Sequence, residues 1–325
     1  MTQNFISDNF LTSDLLIEQH FHGCYGVDFS TCSIKEILEL SKILLKHGIG
    51  GFFPTLVTDS IENIKRQTQT IKEAKRQQTS EMADILGIHL EGIFINPLKK
   101  GIHDSSKFLK PTIKNYKLIE DDFIKIVTLA PELDDNNKLQ KYLQQKGVKV
   151  QAGHCVSGNL DFCNGATHTF NAMEGISHKK SSTALTALIN DKIYAEIIAD
   201  GIHVQNDALN LFFKSKPKNK VILVSDSLPI ALSKLKEMEF AGSKVYYDGK
   251  SATSKDGTLA GSTDILNNIV KRLSKNNPEK FSDYAKMAST NVAKYHNIKL
   301  KGKVYWDKEF NIVAVEKDDI VLCKN

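Results

Sequence analysis

The sequence predicts an α/β fold, a (β/α)8 TIM-like barrel with a reduced C-terminal β appendage. Three observations predict it. Eight short apolar runs alternate with helical patterns, which is the rhythm of βαβ units and a parallel sheet. Histidines and carboxylates close several runs: His20-Phe21-His22, His89-Leu90-Glu91, His154, His168 and Asp226. Side chains spread from residue 20 to residue 226 meet only where a fold gathers strand ends. A parallel barrel does this at the C-terminal face of its strands.

The first run, 15–23, reads LLIEQHFHG and places His20 and His22 on one face. Ser33 reads as the cap of a helix over 33–47, with Ile34, Ile37, Leu38, Leu40, Ile43 and Leu44 at helical spacing. A second run at 49–56 precedes a long polar helix over 60–78. The runs 85–92, 124–130, 148–154, 166–170, 194–200 and 221–226 follow, with helices expected at 134–146, 182–190 and 206–214. After them the rhythm changes. Residues 234–255 read as a loop holding a short hairpin turned at Asp248-Gly249. Ser262 reads as the cap of a helix over 263–274, and another helix is expected at 278–295. The tail alternates like two or three short antiparallel strands. The expected division is an N-terminal extension (1–14), a barrel (15–298) and a small C-terminal β segment (299–325).

The formal charge of +5 is mild, and its Lys and Arg are dispersed over helix faces rather than clustered. No basic-aromatic segment suggests nucleic acid. No apolar stretch reaches bilayer length, and the N-terminus has no signal-peptide core. A cytoplasmic protein with no membrane partner is expected. Five cysteines without a C-x-x-C pair argue against a disulfide framework or a structural zinc site. Cys155 adjoins His154 and points the other way, as a packing residue.

Alone, an H-x-H pair is a weak signal, and His154 and His168 could each be structural. His89 reads as a satisfied core histidine or a support for the site. Glu91 differs, because a carboxylate ending an apolar run is costly to bury without a cation or hydrogen bonds. The conjunction points to a metal. Imidazole and carboxylate without thiolate suit Zn²⁺, Fe²⁺, Mn²⁺ or Co²⁺, and catalysis needs a position left open for water. Asp226 is placed to take a proton from that water and return it to a leaving group. An isolated aspartate there would read as a helix cap.

The segments GGFFPTLVTDS, GIHLEGIFINPLKKGIHD, VTLAPE, GATHTFNAME, IIADGIHV, LVSDS and GTLAGST resemble the N-acetylglucosamine-6-phosphate deacetylases of the amidohydrolase superfamily. The resemblance runs from about residue 15 to residue 295. It implies a barrel that hydrolyses N-acetylglucosamine 6-phosphate to glucosamine 6-phosphate and acetate. It also implies a divalent metal, Zn or Fe, with one or two ions per chain. Glu91, His154 and His168 are then metal ligands, with His20 and His22 matching members that hold a second ion. Asp226 matches the general acid/base, and His103 matches a histidine near the scissile carbonyl. Asn171, Ala172 and His203 match positions that bind sugar and phosphate. The resemblance further implies a homodimer.

Three departures stand out. Lys179, within Ser177-His178-Lys179-Lys180, replaces an arginine that in the family reaches the neighbouring subunit's site. It keeps the charge but loses the bidentate fork. Residues 1–14 are too few for the family's N-terminal β domain. Ile93 replaces the usual proline after HLEG. Two alternatives follow: a deacylase of an unphosphorylated or different N-acyl amino sugar, or a catalytically idle relative acting as a binding protein.

Overall fold

The computed structural model describes residues 10–323. Most of the N-terminal extension, residues 1–9, and the last two residues of the tail lie outside the described residues. Eight parallel strands follow one another around a barrel in chain order: Leu16–Phe21, Ile49–Leu56, Ile88–Glu91, Ile124–Leu129, Lys149–Ala152, Gly165–Ala166, Tyr194–Ile198 and Val221–Val224. The barrel closes between the last strand and the first. Asp226 N–H donates to the His20 carbonyl, and His22 N–H to the Ser227 carbonyl, each at 3.0 Å. All eight strand positions expected from the sequence are filled.

The strands are shorter than the apolar runs, and the reason bears on function. The last residues of several runs leave the sheet to carry site side chains. His154, His168 and Asp226 have φ of 50°, 28° and 51°. Left-handed backbone at a non-glycine residue is disfavoured and persists where surrounding contacts enforce it. Gly153 permits the turn before His154, because a Cβ there would lie 2.7 Å from Thr128 Cγ2 and 2.8 Å from Thr167 Cβ.

The helix expected after Ser33 starts at that cap. Ser33 accepts the Glu36 N–H while the Glu36 carboxylate accepts the Ser33 N–H, closing a capping box on Ile34–Lys46. Ser60 and Ser182 cap Ile61–Arg76 and Thr183–Ile189 in the simpler one-bond way. Three expectations fail. The helix expected over 134–146 begins only at Lys138, because Asn136 and Asn137 each sit at φ 56°. Ser262 Oγ accepts the Asp264 N–H in a local turn, and the helix begins later, at Leu266. The helix expected over 278–295 is broken into Phe281–Met287 and Thr290–His296, because Ser289 leaves helical geometry at φ −140°, ψ −86°.

Two antiparallel sheets flank the barrel. One is an insert of four strands, Glu237–Phe240, Ser243–Tyr247, Ala252–Ser254 and Leu259–Gly261, which contains the expected Asp248-Gly249 turn. The other joins the tail strands Gly302–Trp306, Ile312–Lys317 and Ile320–Cys323 to Leu11–Asp14, which pairs with Gly302–Trp306. The end of the N-terminal extension is thus part of the β appendage, a pairing that sequence periodicity cannot reveal across such a separation.

Ile17, Phe53, Ile126, Ile198 and Ile222 form one buried cluster. They come from strands one, two, four, seven and eight, so they can meet only in the bore. The bore is therefore plugged, and the site is a pit opening at one end. Cys24, Cys32, Cys155 and Cys163 are buried free thiols. Among the described residues, no helix is long and apolar enough to cross a membrane.

Candidate metal centre

Glu91 ends strand three, fully inside the barrel mouth, and its two oxygens face opposite groups. Oε2 lies 3.1 Å from His20 Nε2 and 3.1 Å from His22 Nε2. Asp226 Oδ1 completes that group, 3.3 Å from His20 Nε2 and 3.1 Å from His22 Nε2. Oε1 lies 3.2 Å from His154 Nε2 and 3.0 Å from His168 Nε2, and those two nitrogens are 3.1 Å apart. The second group can also be drawn with His103, but His103 Nε2 is 4.0 Å from Glu91, so His168 fits better.

The far nitrogens of the rings decide what the near ones are. His154 Nδ1 faces the Lys99 carbonyl at 2.8 Å and His22 Nδ1 the Thr55 carbonyl at 3.3 Å. His20 Nδ1 faces the Glu196 carboxylate at 3.1 Å. An acceptor opposite Nδ1 places the proton there, so Nε2 of the neutral ring presents a lone pair. Lone pairs and carboxylate oxygens crowded at about 3 Å repel one another unless positive charge sits among them. The electrostatics agree. Burial works against a charged His22, yet the Asp226 and Glu91 carboxylates lift its pKa to about 9. The cluster demands cations, either protons or a metal ion, and a donor set of imidazole and carboxylate suits a divalent one.

His103 has a different role. Its Nδ1 meets Thr58 Oγ1 at 2.9 Å and the Thr58 backbone N–H at 3.4 Å. Burial, aided by His154, pushes its pKa down to about 3. The ring is neutral with its proton on Nε2, which looks into the cavity. Gly92, at φ 114°, permits this approach: a Cβ there would lie 2.2 Å from Thr58 Oγ1 and 2.9 Å from His103 Nδ1. His89 is a satisfied core histidine, held by the Gln19 carbonyl at 3.0 Å and Thr128 Oγ1 at 2.7 Å.

The cavity above these groups has a volume of about 500 Å³. Asn171, Ala172 and His203 line it. Lys179 does not: it lies exposed on a loop, outside the lining. Lys99 and Lys100 line the cavity instead, with the Lys99 ammonium 3.6 Å from Glu174. The antiparallel insert supplies Phe240, whose ring packs 5.2 Å from that of His22, and Leu259–Gly261. Sequence reasoning missed Thr58, Phe240, both lysines and Glu196. Thr58 and both lysines lie within segments that carry the resemblance, and Glu196 carried a signal of its own, as a carboxylate inside the apolar run YAEII.

The Amidohydrolase family model matches residues 16–324. The chain belongs to the amidohydrolase family. That family is metal-dependent, in keeping with the convergent donor set. This amidohydrolase is 32% identical to the N-acetylglucosamine-6-phosphate deacetylase of Bacillus subtilis, over 93% of this chain and 80% of the relative. It is 27% identical to an N-acetylgalactosamine-6-phosphate deacetylase of Escherichia coli O157:H7, over 79% of this chain and 70% of the relative. Among solved structures, the N-acetylglucosamine-6-phosphate deacetylase of Pasteurella multocida superposes with a TM-score of 0.88. That match has 24% identity and covers 97% of this chain and 87% of the other, so it speaks for the shared barrel.

Proposed function

We propose that this amidohydrolase removes the acetyl group of N-acetylglucosamine 6-phosphate, giving glucosamine 6-phosphate and acetate. The observation that carries this reading is that Asp226, His103 and Glu91 line one cavity together with Lys99, Lys100, Asn171 and His203. Residues 15–298 form the catalytic unit in this reading, with one β appendage fed by both chain ends.

His20, His22 and Asp226 would hold one divalent ion, and His154 and His168 another, with Glu91 shared. Zinc or iron is the expected metal. Once bound, an ion supplies Lewis acidity, polarising the carbonyl and easing ionisation of water. His103 donates its Nε2–H to the carbonyl oxygen, where negative charge grows. Asp226 accepts the proton of the attacking water at its carboxylate. It then delivers that proton to the amide nitrogen, so that the C–N bond breaks to release a neutral amine rather than an amide anion. The new C–O bond leaves acetate.

The phosphate would be read by the Asn171-Ala172 backbone, His203, Lys99 and Lys100. Purified, metal-analysed protein should release acetate far faster from the phosphorylated sugar than from N-acetylglucosamine itself. Replacing Lys99 and Lys100 together by alanine should narrow that preference. Equal rates in the parent would move the function to an unphosphorylated or different N-acyl amino sugar. The resemblance to an N-acetylgalactosamine-6-phosphate deacetylase supports a different N-acyl amino sugar as the second reading.

A pH effect follows from His203. Burial pulls its pKa down, but the Asp200 carboxylate, 2.7 Å from Nδ1, more than offsets this and lifts it above the ordinary histidine value. The proton is therefore held further into neutral pH and lost as pH rises through the raised pKa. KM for the phosphorylated substrate should climb there, while KM for the unphosphorylated sugar stays level. Asp200→Asn should move the break to lower pH, and an unmoved break would separate His203 from phosphate.

The homodimer is inferred from the family resemblance, and Lys179 would then serve a neighbouring cavity. Sedimentation equilibrium of the purified chain reads this directly. The free buried thiols support a reducing setting, the cytoplasm.

A further inference from the structure

We propose that Glu196 is a positioning residue of the metal centre, holding His20 and the His168 turn in register on either side of Glu91. The inference rests on the metal-dependent reading above but not on the identity of the substrate.

Glu196 is buried on strand seven, and four donors converge on its carboxylate. Oε2 lies 3.1 Å from His20 Nδ1 and 3.1 Å from the His168 backbone N–H. Oε1 lies 2.5 Å from Gln19 Nε2 and 2.9 Å from Gln151 Nε2. A carboxylate has about four acceptor directions, so this one is filled. The donors come from strand one, strand five and the turn after strand six. One side chain thus ties together the elements that carry His20 and His168.

Two consequences follow for the centre. The bond to His20 Nδ1 puts that ring's proton on the outer nitrogen and aims the Nε2 lone pair at Glu91 and Asp226. The bond to the His168 N–H supports a residue held at φ 28°, a conformation that needs external support. The orientation is itself anchored from below: His296 Nε2 meets Gln19 Oε1 at 2.9 Å, which turns the Gln19 amide so that its NH₂ faces Glu196. A neutral residue could bridge these strands without the cost of burying a charge. What a carboxylate adds is basicity at His20 and compensation for a cation, effects that outer partners of metal-bound histidines typically show as 10–100-fold in affinity.

The test uses the full chain with Zn²⁺ or Co²⁺ as the probe. Glu196→Gln keeps the volume and removes the charge. It is expected to bind zinc about 10–100-fold more weakly than the parent and to alter the visible absorption of the cobalt form, with circular dichroism unchanged. Glu196→Asp keeps the charge on a shorter stem and should recover part of the affinity. Parent-like affinity and cobalt spectrum in Glu196→Gln would overturn the proposal. So would failure of both variants to fold, which would make the role purely structural. No sugar is present in this titration. A parent that binds metal yet releases no acetate would defeat the functional reading and leave this inference standing.

Discussion

Asp226→Asn is expected to lower kcat for acetate release by about 10²–10⁴-fold, the range spanned by general acid–base groups. Asparagine has the same shape but cannot take up the proton of the attacking water or return it to nitrogen. Substrate binding should change much less, because the cavity walls formed by Asn171, Ala172 and His203 are untouched. Asp226 Oδ1 also lies close to His20 and His22, so metal content must be measured on the same sample. A variant with full metal and a rate within threefold of the parent would remove Asp226 from the proton path. A variant that has lost metal would trace its lower rate to the ion that Asp226 helps to hold rather than to the proton path.

Glu91→Gln is expected to have the largest effect on the centre itself. Among the described residues, Glu91 is the carboxylate that touches both histidine pairs, and its charge offsets whatever cation they hold. An amide would place an N–H₂ against one pair of lone pairs. Loss of bound metal and of turnover should follow together. The stability readout is independent of substrate. A ligand present at a hundred times its Kd stabilises the folded state by about 2.7 kcal/mol. The parent's Tm should therefore rise when zinc is added to metal-free protein, and that rise should shrink or vanish in Glu91→Gln. A mutant with the parent's zinc-dependent shift would show that Glu91 is not the shared ligand.

The barrel and most of the site were legible because both leave local marks. Strand-end residues such as His20, His22 and Glu91 interrupt apolar runs, and Ser33 announces the helix that follows it. Lys179 lies outside its own chain's cavity, and sequence reads a loop's charge but not its direction. Phe240 and Leu259–Gly261 arrive through an inserted sheet whose docking depends on packing, not on periodicity. Thr58 was unremarkable as a residue type, and its importance comes from being squeezed between Gly92 and His103. Ser262 failed as a cap because its hydroxyl is used two residues on, and Pro278–Lys280 opens a segment that breaks again at Ser289. Glu196 was visible but carried no periodic partner to give it meaning.

The pairing of Leu11–Asp14 with Gly302–Trp306 also sets an order of events during synthesis. At roughly 5–20 residues per second, the later strand leaves the ribosome roughly 15–60 s after the earlier one. Throughout that interval the barrel can assemble its walls, yet the first strand's N-terminal neighbour has nothing to pair with. This seam can therefore form only after the barrel strands have all been made. A chain halted before residue 302 would leave Leu11–Asp14 without the strand that pairs with it here.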